Sequence, residues 1–440
     1  MKIFNKYIIV FLVAFTFVGC EDFIEGDAIN SDPNNPTAVP VTAQLPAFQI
    51  ALADNVGGDF SRFNSMLVQQ VEGVARQWTA FNQYTGLTPN RFDAAWQNTY
   101  ENTLNEIQVA KNSSQENGYN HFLGILNIME AYTLMIATDV WDDMPYTDAL
   151  QGVGALNPTF DTQASIYTSI YSFLEEGISL LNGPPGSLSP GGEDVFYAGN
   201  IEAWIKAAHA IKARGLLKDK DFAGAISEAQ QAFANASDNL SFQYPNANAA
   251  GGWFRFNRDR TGDLEFHPSM RNLMTNLNDM DRLAVMDQIF DTDHTYLIPN
   301  FLQELISYRE MQFIIAEADQ RISGGTQTGY DAYLEGIRAS FARLGLGDTA
   351  FETYIAQNDI NPGVGNLSLE TIMTQKYIAM FLQPEVYSDW RRTGFPTLSP
   401  VSGTAIPVRW NYPATELLFN TNAPAEGAVD IFTNRVGWNR

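Results

Sequence analysis

The side chains that most often carry chemistry are sparse in this chain. His121, His209, His267 and His294 are its only histidines. No two of them lie three or four residues apart, the spacing that sets two imidazoles on one helix face for a zinc ion. No G-x-S-x-G stretch is present to hold a nucleophilic serine on a sharp strand-to-helix turn. Gly324 and Gly329 have the spacing of a phosphate-cradling loop, but Tyr330 stands where that loop needs lysine. Asp291-Thr292-Asp293 opens as a calcium loop does, yet the central glycine and the closing glutamate are missing. Paired carboxylates remain, since any two of the 50 acidic residues could meet across a sugar, and no local pattern marks a pair. The inventory predicts a protein that binds rather than converts, with no cofactor and no metal site.

Binding draws on other residue types. Sugars and peptides present flat apolar patches ringed by polar groups, which aromatic faces and Asn, Asp and Arg side chains match. Three segments qualify. Arg76 to Tyr84 places Trp78, Phe81 and Tyr84 among amides just past a predicted helix end. Gly251 to Asn257 carries Trp253, Phe254 and Arg255, and its glycines are expected to let a loop tip expose Trp253. Trp141 with Tyr146 forms the third. Each has a competing reading, in which Trp78 and Phe81 are core residues of a longer helix and Trp253 and Trp141 pin loops down. Trp96, Trp204 and Trp390 are assigned to structure: Trp96 pairs with Tyr100 at i and i+4, and Trp390 is expected to carry a stacked arginine.

One cysteine carries a different chemistry. Lys2 and Lys6 precede a nearly unbroken apolar run from Tyr7 to Val18, too short to span a bilayer but suited to a signal peptide. The run ends at Gly19-Cys20, and Cys20 is the only cysteine of the 440 residues. This predicts a signal peptide over 1–19, lipidation at Cys20 and a tether over 20–40, so that acyl chains hold the protein on a membrane. Formal charge is 26 basic minus 50 acidic residues, or −24. Such a surface repels phosphate backbones, which excludes nucleic acid as a partner.

The remaining 41–440 must position these residues. Hydrophobic residues make up 45% of the chain, enough for a large core, and no long linker divides it, so a single domain is expected. Helical periodicity marks roughly 41–55, 60–80, 91–112, 118–138, 163–182, 201–217, 222–236, 302–322, 329–344 and 368–383, with Pro384 expected to stop the last. Leu305, Tyr308, Met311, Ile315, Ala318 and Ile322 form a core-facing stripe. The stretch 122–137 is apolar nearly all round but holds Asn127 and Glu130, so it reads as a buried helix and not a membrane span. Ala225, Ala229 and Ala232 recur in spacing as Ala332, Gly336 and Ala339, each set on the second helix of a predicted hairpin. Small residues there let helices approach closely, as tetratricopeptide repeats do. The fold class is mainly α: a tetratricopeptide-like scaffold of helical hairpins over about 41–237 and 301–383. Long irregular loops over about 238–300 and 384–440 are expected to pack on one face as the ligand face.

Several motifs occur in a recognisable order. They are Asp32-Pro33-Asn34-Asn35-Pro36, Trp141-Asp142-Asp143-Met144-Pro145-Tyr146, Tyr308-Arg309-Glu310-Met311 with Ala316-Glu317-Ala318, Gln375-Lys376-Tyr377 leading to Asp389-Trp390-Arg391-Arg392-Thr393-Gly394, and Ile406-Pro407-Val408-Arg409 with Tyr412-Pro413 and Glu416. Together they resemble the SusD/RagB-like nutrient-binding lipoproteins over nearly the whole mature length. In this chain Trp141-Asp142 replaces that family's aromatic-glycine pair. The resemblance implies a partner, a SusC-like TonB-dependent transporter of the outer membrane, and a task, loose capture and delivery of an oligosaccharide or peptide. It also implies that Glu21 and Asp22 behind the lipidated cysteine favour the outer face. The alternatives are a helical-repeat scaffold lipoprotein for envelope assembly and a glycan hydrolase.

Overall fold

A computed structural model describes residues 39–291 and 297–440. The signal segment, Cys20, the tether up to residue 38 with its Asp32–Pro36 motif, His294 and the end of Asp291-Thr292-Asp293 lie outside the described residues.

The chain enters through α1 (Val41–Asn55), a π turn (Val56–Phe60) and α2 (Ser61–Leu67). Strand β1 (Val71–Gly73) leads to α3 (Arg76–Asn82) and α4 (Asp93–Thr99). A second π turn (Tyr100–Asn105) carries α4 into α5 (Glu106–Asn117), followed by α6 (Asn120–Trp141). Short strands β2 (Met144–Pro145) and β3 (Phe160–Asp161) pair antiparallel ahead of α7 (Gln163–Asn182). Helices α8 (Ile201–Lys218) and α9 (Phe222–Gln231) form a hairpin, then β4 (Leu240–Gln243) and α10 (Gly252–Asp259) follow. Strand β5 (Leu264–Phe266) pairs with β1, ahead of α11 (Pro268–Asn276) and α12 (Met280–Met286). Strand β6 (Leu302–Ile306) pairs with β4 and leads to α13 (Tyr308–Ser323), α14 (Gln327–Arg343) and α15 (Asp348–Ile355). The chain closes with α16 (Leu369–Ala379), α17 (Glu385–Thr393) and α18 (Ala414–Phe419).

The helices whose limits the periodicity locates well carry side-chain caps. Thr162 accepts from the Ser165 amide at the start of α7, Asn200 from Ala203 at α8, Asp221 from Gly224 at α9 and Thr326 from Gly329 at α14. Packing of α6–α7, α8–α9 and α13–α14, with α9 against α13, forms the tetratricopeptide-like stack. Small residues set its spacing. A Cβ on Gly177 of α7 would lie 3.0 Å from the Gly124 carbonyl oxygen of α6, and one on Gly336 of α14 would lie 2.7 Å from the Phe313 ring of α13. Helix α6 is apolar and long enough to cross a membrane, but its apolar stretch is wholly buried in the protein.

Elsewhere tertiary pairing overrides the helical pattern. The expected helix over 60–80 breaks after Leu67: Gln69 takes φ 61°, and Gln70 bonds the Tyr377 carbonyl and the Leu382 amide while β1 pairs with β5. Residues 302–306 form a strand, so Leu305 of the stripe is a strand residue, and Ile322 is exposed. Helix α16 ends at Ala379, and Pro384 caps the start of α17 instead of stopping α16. The loop expected over 238–300 contains α10, α11 and α12.

Two networks of buried ions join these helices. Arg214 of α8 forks onto Glu310 of α13 at 2.7 and 2.7 Å, and neighbouring Lys218 binds Asp139 of α6 and Glu385 of α17. Arg392 of α17 forks onto Glu317 of α13 and reaches Asp389 at 2.8 Å, which Lys376 of α16 also binds at 2.8 Å. Burial pushes the Glu317 carboxyl up, but Arg392 outweighs it and holds the group below the ordinary range. Trp390 stacks on Tyr387, 6.4 Å away at 9°. The arginine stacking expected on Trp390 falls on Tyr387 and Trp438 instead, both faced by Arg391.

Replacing Arg392 with Met leaves the buried Glu317 only the half-buried Arg321 at 3.0 Å, and should cost about 2–4 kcal/mol in urea unfolding. Glu317→Gln in the same chain should recover part of that loss; full additivity of the two losses would disprove the coupling. A second prediction concerns His267, which caps α11 by accepting from the Ser269 amide at 3.0 Å. Burial and then nearby Arg271 lower its pKa to about 4. The unfolded chain takes up this proton below about 6.5 and the folded chain does not. Stability is therefore full above that pH and falls by on the order of 3 kcal/mol as pH drops toward 4. His267→Asn keeps a capping oxygen and should show a shallower acid loss between pH 7 and 4.5.

Candidate functional site

The ring faces expected to be exposed are mostly inside. Trp78 is 5% exposed and packs against Phe63, Phe81 and Phe256, with centroids 6.2, 6.0 and 5.1 Å away. Phe81 lies 4.9 Å from Phe63 in the same cluster. Tyr84 is buried edge-on to Phe432, and its hydroxyl accepts from the Val401 amide. Trp141 is fully buried between Phe60, Trp96 and Trp410, and its indole N–H donates to the Asn411 carbonyl. Trp253 is 1% exposed and donates to Ser61 Oγ at 2.8 Å. These five are corrections to the expectation of open platforms. Their large rings gain more by joining one aromatic cluster than by facing water.

The glycines before Trp253 also act differently from expectation. Gly251 has φ −63°, and α10 starts at Gly252. A Cβ on Gly251 would lie 2.8 Å from the Tyr244 ring, and one on Gly252 would lie 3.1 Å from the Gly57 carbonyl oxygen. Close packing requires them, and the segment is a helix turned inward rather than a loop tip. Phe254 is half-buried. Tyr146 is half-buried, donates to Glu130 Oε1 at 2.8 Å and borders a cleft of about 390 Å³ with Gln108 and Asn112. Asp142, at the position where the resemblance implies glycine, takes φ 73°, a conformation glycine favours. Its carboxylate accepts from the Gly437 amide and faces Arg409 and Arg440, which hold that backbone in place.

Of the eight predicted contacts, Arg255 reaches the cleft with the most varied polar chemistry. This cleft, about 550 Å³, lies between α1 with its π turn, α4 with its π turn, and α10. Gly58 leaves helical angles there (φ −94°, ψ −112°), and π segments often mark functional positions because they re-aim side chains. Asp54 and Asp59 come from the first wall, Asn98 and Asn102 from the second, and Arg255 and Phe256 from the third.

Arg255 pairs with Asp54 at 2.9 Å, and Asp54 also accepts from the Tyr244 hydroxyl at 2.5 Å. Burial and then the Asp54 charge push the Tyr244 phenol well up, so it stays a donor. Arg62 pairs with Asp59 at 2.6 Å and lies over the Phe256 ring at 4.8 Å. Asn102 donates to Asn98 at 2.7 Å, leaving free amide groups on both. Asn55 turns its amide N–H inward to Thr99, while its buried Oδ1 and the Arg62 Nε have no hydrogen-bond partner among the described residues. The cleft therefore offers amide and guanidinium donors, carboxylate acceptors and one aromatic ring. Among the described residues no cluster of His, Cys, Asp and Glu could hold a metal ion.

The sequence reading missed Asp54, Asp59, Asn98 and Asn102. Asn98 and Asn102 carry a weak signal as an i, i+4 amide pair flanking Trp96 and Tyr100, whose rings do pair at 4.5 Å. Phe256 lay inside the candidate segment Gly251 to Asn257 without being singled out, and Arg62 had no signal that separates it from an ordinary surface residue.

The family model described as "Starch-binding associating with outer membrane" matches residues 33–296 and 284–413. No curated protein sequence matches the chain. Among solved structures, a SusD/RagB family protein from Bacteroides thetaiotaomicron is similar with a TM-score of 0.77 at 20% identity, over 91% of this chain and 99% of that one. A chitin-binding SusD homolog from Flavobacterium johnsoniae gives 0.71 at 20% identity, over 91% and 98%. A SusD homolog from Bacteroides fragilis gives 0.69 at 20% identity, over 91% and 100%. Likeness at such identities shows the fold, and the family match over most of the chain shows the lineage. The chain belongs to the SusD-like family of nutrient-binding proteins associated with the outer membrane.

Proposed function

We propose that this protein captures an oligosaccharide in the cleft between α1, α4 and α10 and passes it unchanged to a SusC-like TonB-dependent transporter. Cys20 carries the lipid that holds it on the outer membrane, facing the exterior. The observation that carries this reading is the cleft's mixture of groups. Asn98 and Asn102 present amides suited to sugar hydroxyls, Phe256 supplies an apolar ring, and Arg255 supplies further donors. The cleft carboxylates Asp54 and Asp59 are each tied to an arginine, which favours holding a solute over activating water. A peptide ligand is the nearest competitor and would use the same amides for backbone groups.

Contacts of this kind support an affinity of about micromolar to millimolar, loose enough for hand-over. Calorimetry of the soluble chain against glycan and peptide panels tests the reading. A bound glycan recovered intact supports it, whereas released product or binding of peptides alone sinks it. Asn98→Ala with Asn102→Ala should weaken glycan binding on the order of tenfold, with the melting temperature little changed.

Trp78→Ala and Trp253→Ala should act on another quantity. Each removes a buried ring and should lower stability by about 3–5 kcal/mol. Glycan affinity of the fraction still folded should change less than in the Asn98/Asn102 variant, and the reverse ordering would return the tryptophans to the site.

A further inference from the structure

We infer that the ligand of the α1/α4/α10 cleft is an acidic glycan, recognised through an anionic group at Arg260 and Arg255. This rests on the glycan-capture reading above and adds the charge class of the sugar.

The argument starts from the cleft's ion pairs. Its three carboxylates each have a guanidinium partner: Asp54 binds Arg255 at 2.9 Å, Asp59 binds Arg62 at 2.6 Å and Asp259 binds Arg258 at 2.7 Å. Arg260 borders the same cleft, is exposed, and makes no side-chain hydrogen bond or ion pair among the described residues. The lining itself carries three arginines and three aspartates, but Arg258 just outside it takes Asp259, so cleft and rim together hold four guanidinium groups against three carboxylates, with Arg260 reached only by the field of Asp259. The whole chain has a formal charge of −24, so such a surplus runs against its general composition.

Arg255 adds to this. A guanidinium has five N–H donors. Asp54 engages Arg255 through Nη2, and the side chain stays 43% exposed. Planar donors of this kind match a carboxylate or a sulfate ester in two-point contact. The net negative charge of the protein repels an anionic solute at a distance, but salt screens that repulsion beyond about 8–10 Å. At contact, Arg260 and Arg255 dominate. Asn98 and Asn102 are left for hydroxyl groups of the same sugar or the next.

The test uses a glycan array of matched pairs, uronate oligosaccharides beside their methyl esters and sulfated oligosaccharides beside their desulfated forms. It is read with the soluble wild-type chain and Arg260→Gln. The acidic member of a bound pair should bind on the order of tenfold more tightly than its neutral counterpart. That advantage should disappear in Arg260→Gln and shrink as NaCl rises from about 0.05 to about 0.5 M. The uronate and sulfate arms tell which anion is taken. Equal or tighter binding of neutral members, or an advantage that survives Arg260→Gln, overturns the acidic class while leaving glycan capture standing. If no glycan of either charge binds a chain that melts normally, glycan capture itself falls and this inference with it.

Discussion

A charge removed from water must find its opposite, and this fold places several of them at the junctions between its helices. Glu317 in the middle of α13 is wholly enclosed and is answered by Arg321 one turn along the same helix and by Arg392, 75 residues further on. Arg392 in turn shares Asp389 with Lys376, so α13, α16 and α17 can pack in one arrangement only. The Arg214–Glu310 fork and the Lys218 bridge to Asp139 and Glu385 do the same for α6, α8, α13 and α17. Such pairs add little net stability compared with apolar packing, but an unmatched partner is costly, and that asymmetry selects the register. The Asp389 to Gly394 motif thus reads as a clamp: its aspartate and second arginine close one network, and its first arginine lies on Tyr387 and donates to the Asp139 carbonyl.

On this clamped stack the aromatic residues have a structural role before any other. Phe60, Phe63, Trp141 and Trp410 meet at centroid distances of 4.9–5.6 Å and hold α2, the end of α6 and the C-terminal segment together. Trp78 extends the cluster to Phe256, whose ring then borders the cleft. The two π turns, one on each side, themselves carry Asp59 and Asn102. Core packing and the candidate site are in this way one construction, with the rings inside and the amides and guanidinium groups at the edge.

The order of the helical hairpins was legible from the sequence, because apolar residues recurring every three or four positions are a local signal. Helices α7 and α8 begin where Thr162 and Asn200 can cap them. The burial of α6 was legible from its composition, and the close approach of α13 and α14 from Ala332 and Gly336. The interruption at Gln69, the strands β1, β5 and β6, and the end of α16 were not, because each depends on a partner far along the chain. The aromatic segments were found, but their orientation was misjudged. A tryptophan beside glycines reads the same whether it points outward or inward.

The amino-acid sequence alone determined the helical class, the positions of most helices and the residue order that marks the family, since these depend on spacing within a few turns of chain. Tertiary structure alone decided which side chains border the cleft. Asp54, Asn98, Asn102 and Arg255 come from three separate segments, and only folding brings them to a common space. Whether a ring is buried or free is likewise a property of what packs over it, and Trp78 and Trp253 are covered by segments distant in the chain.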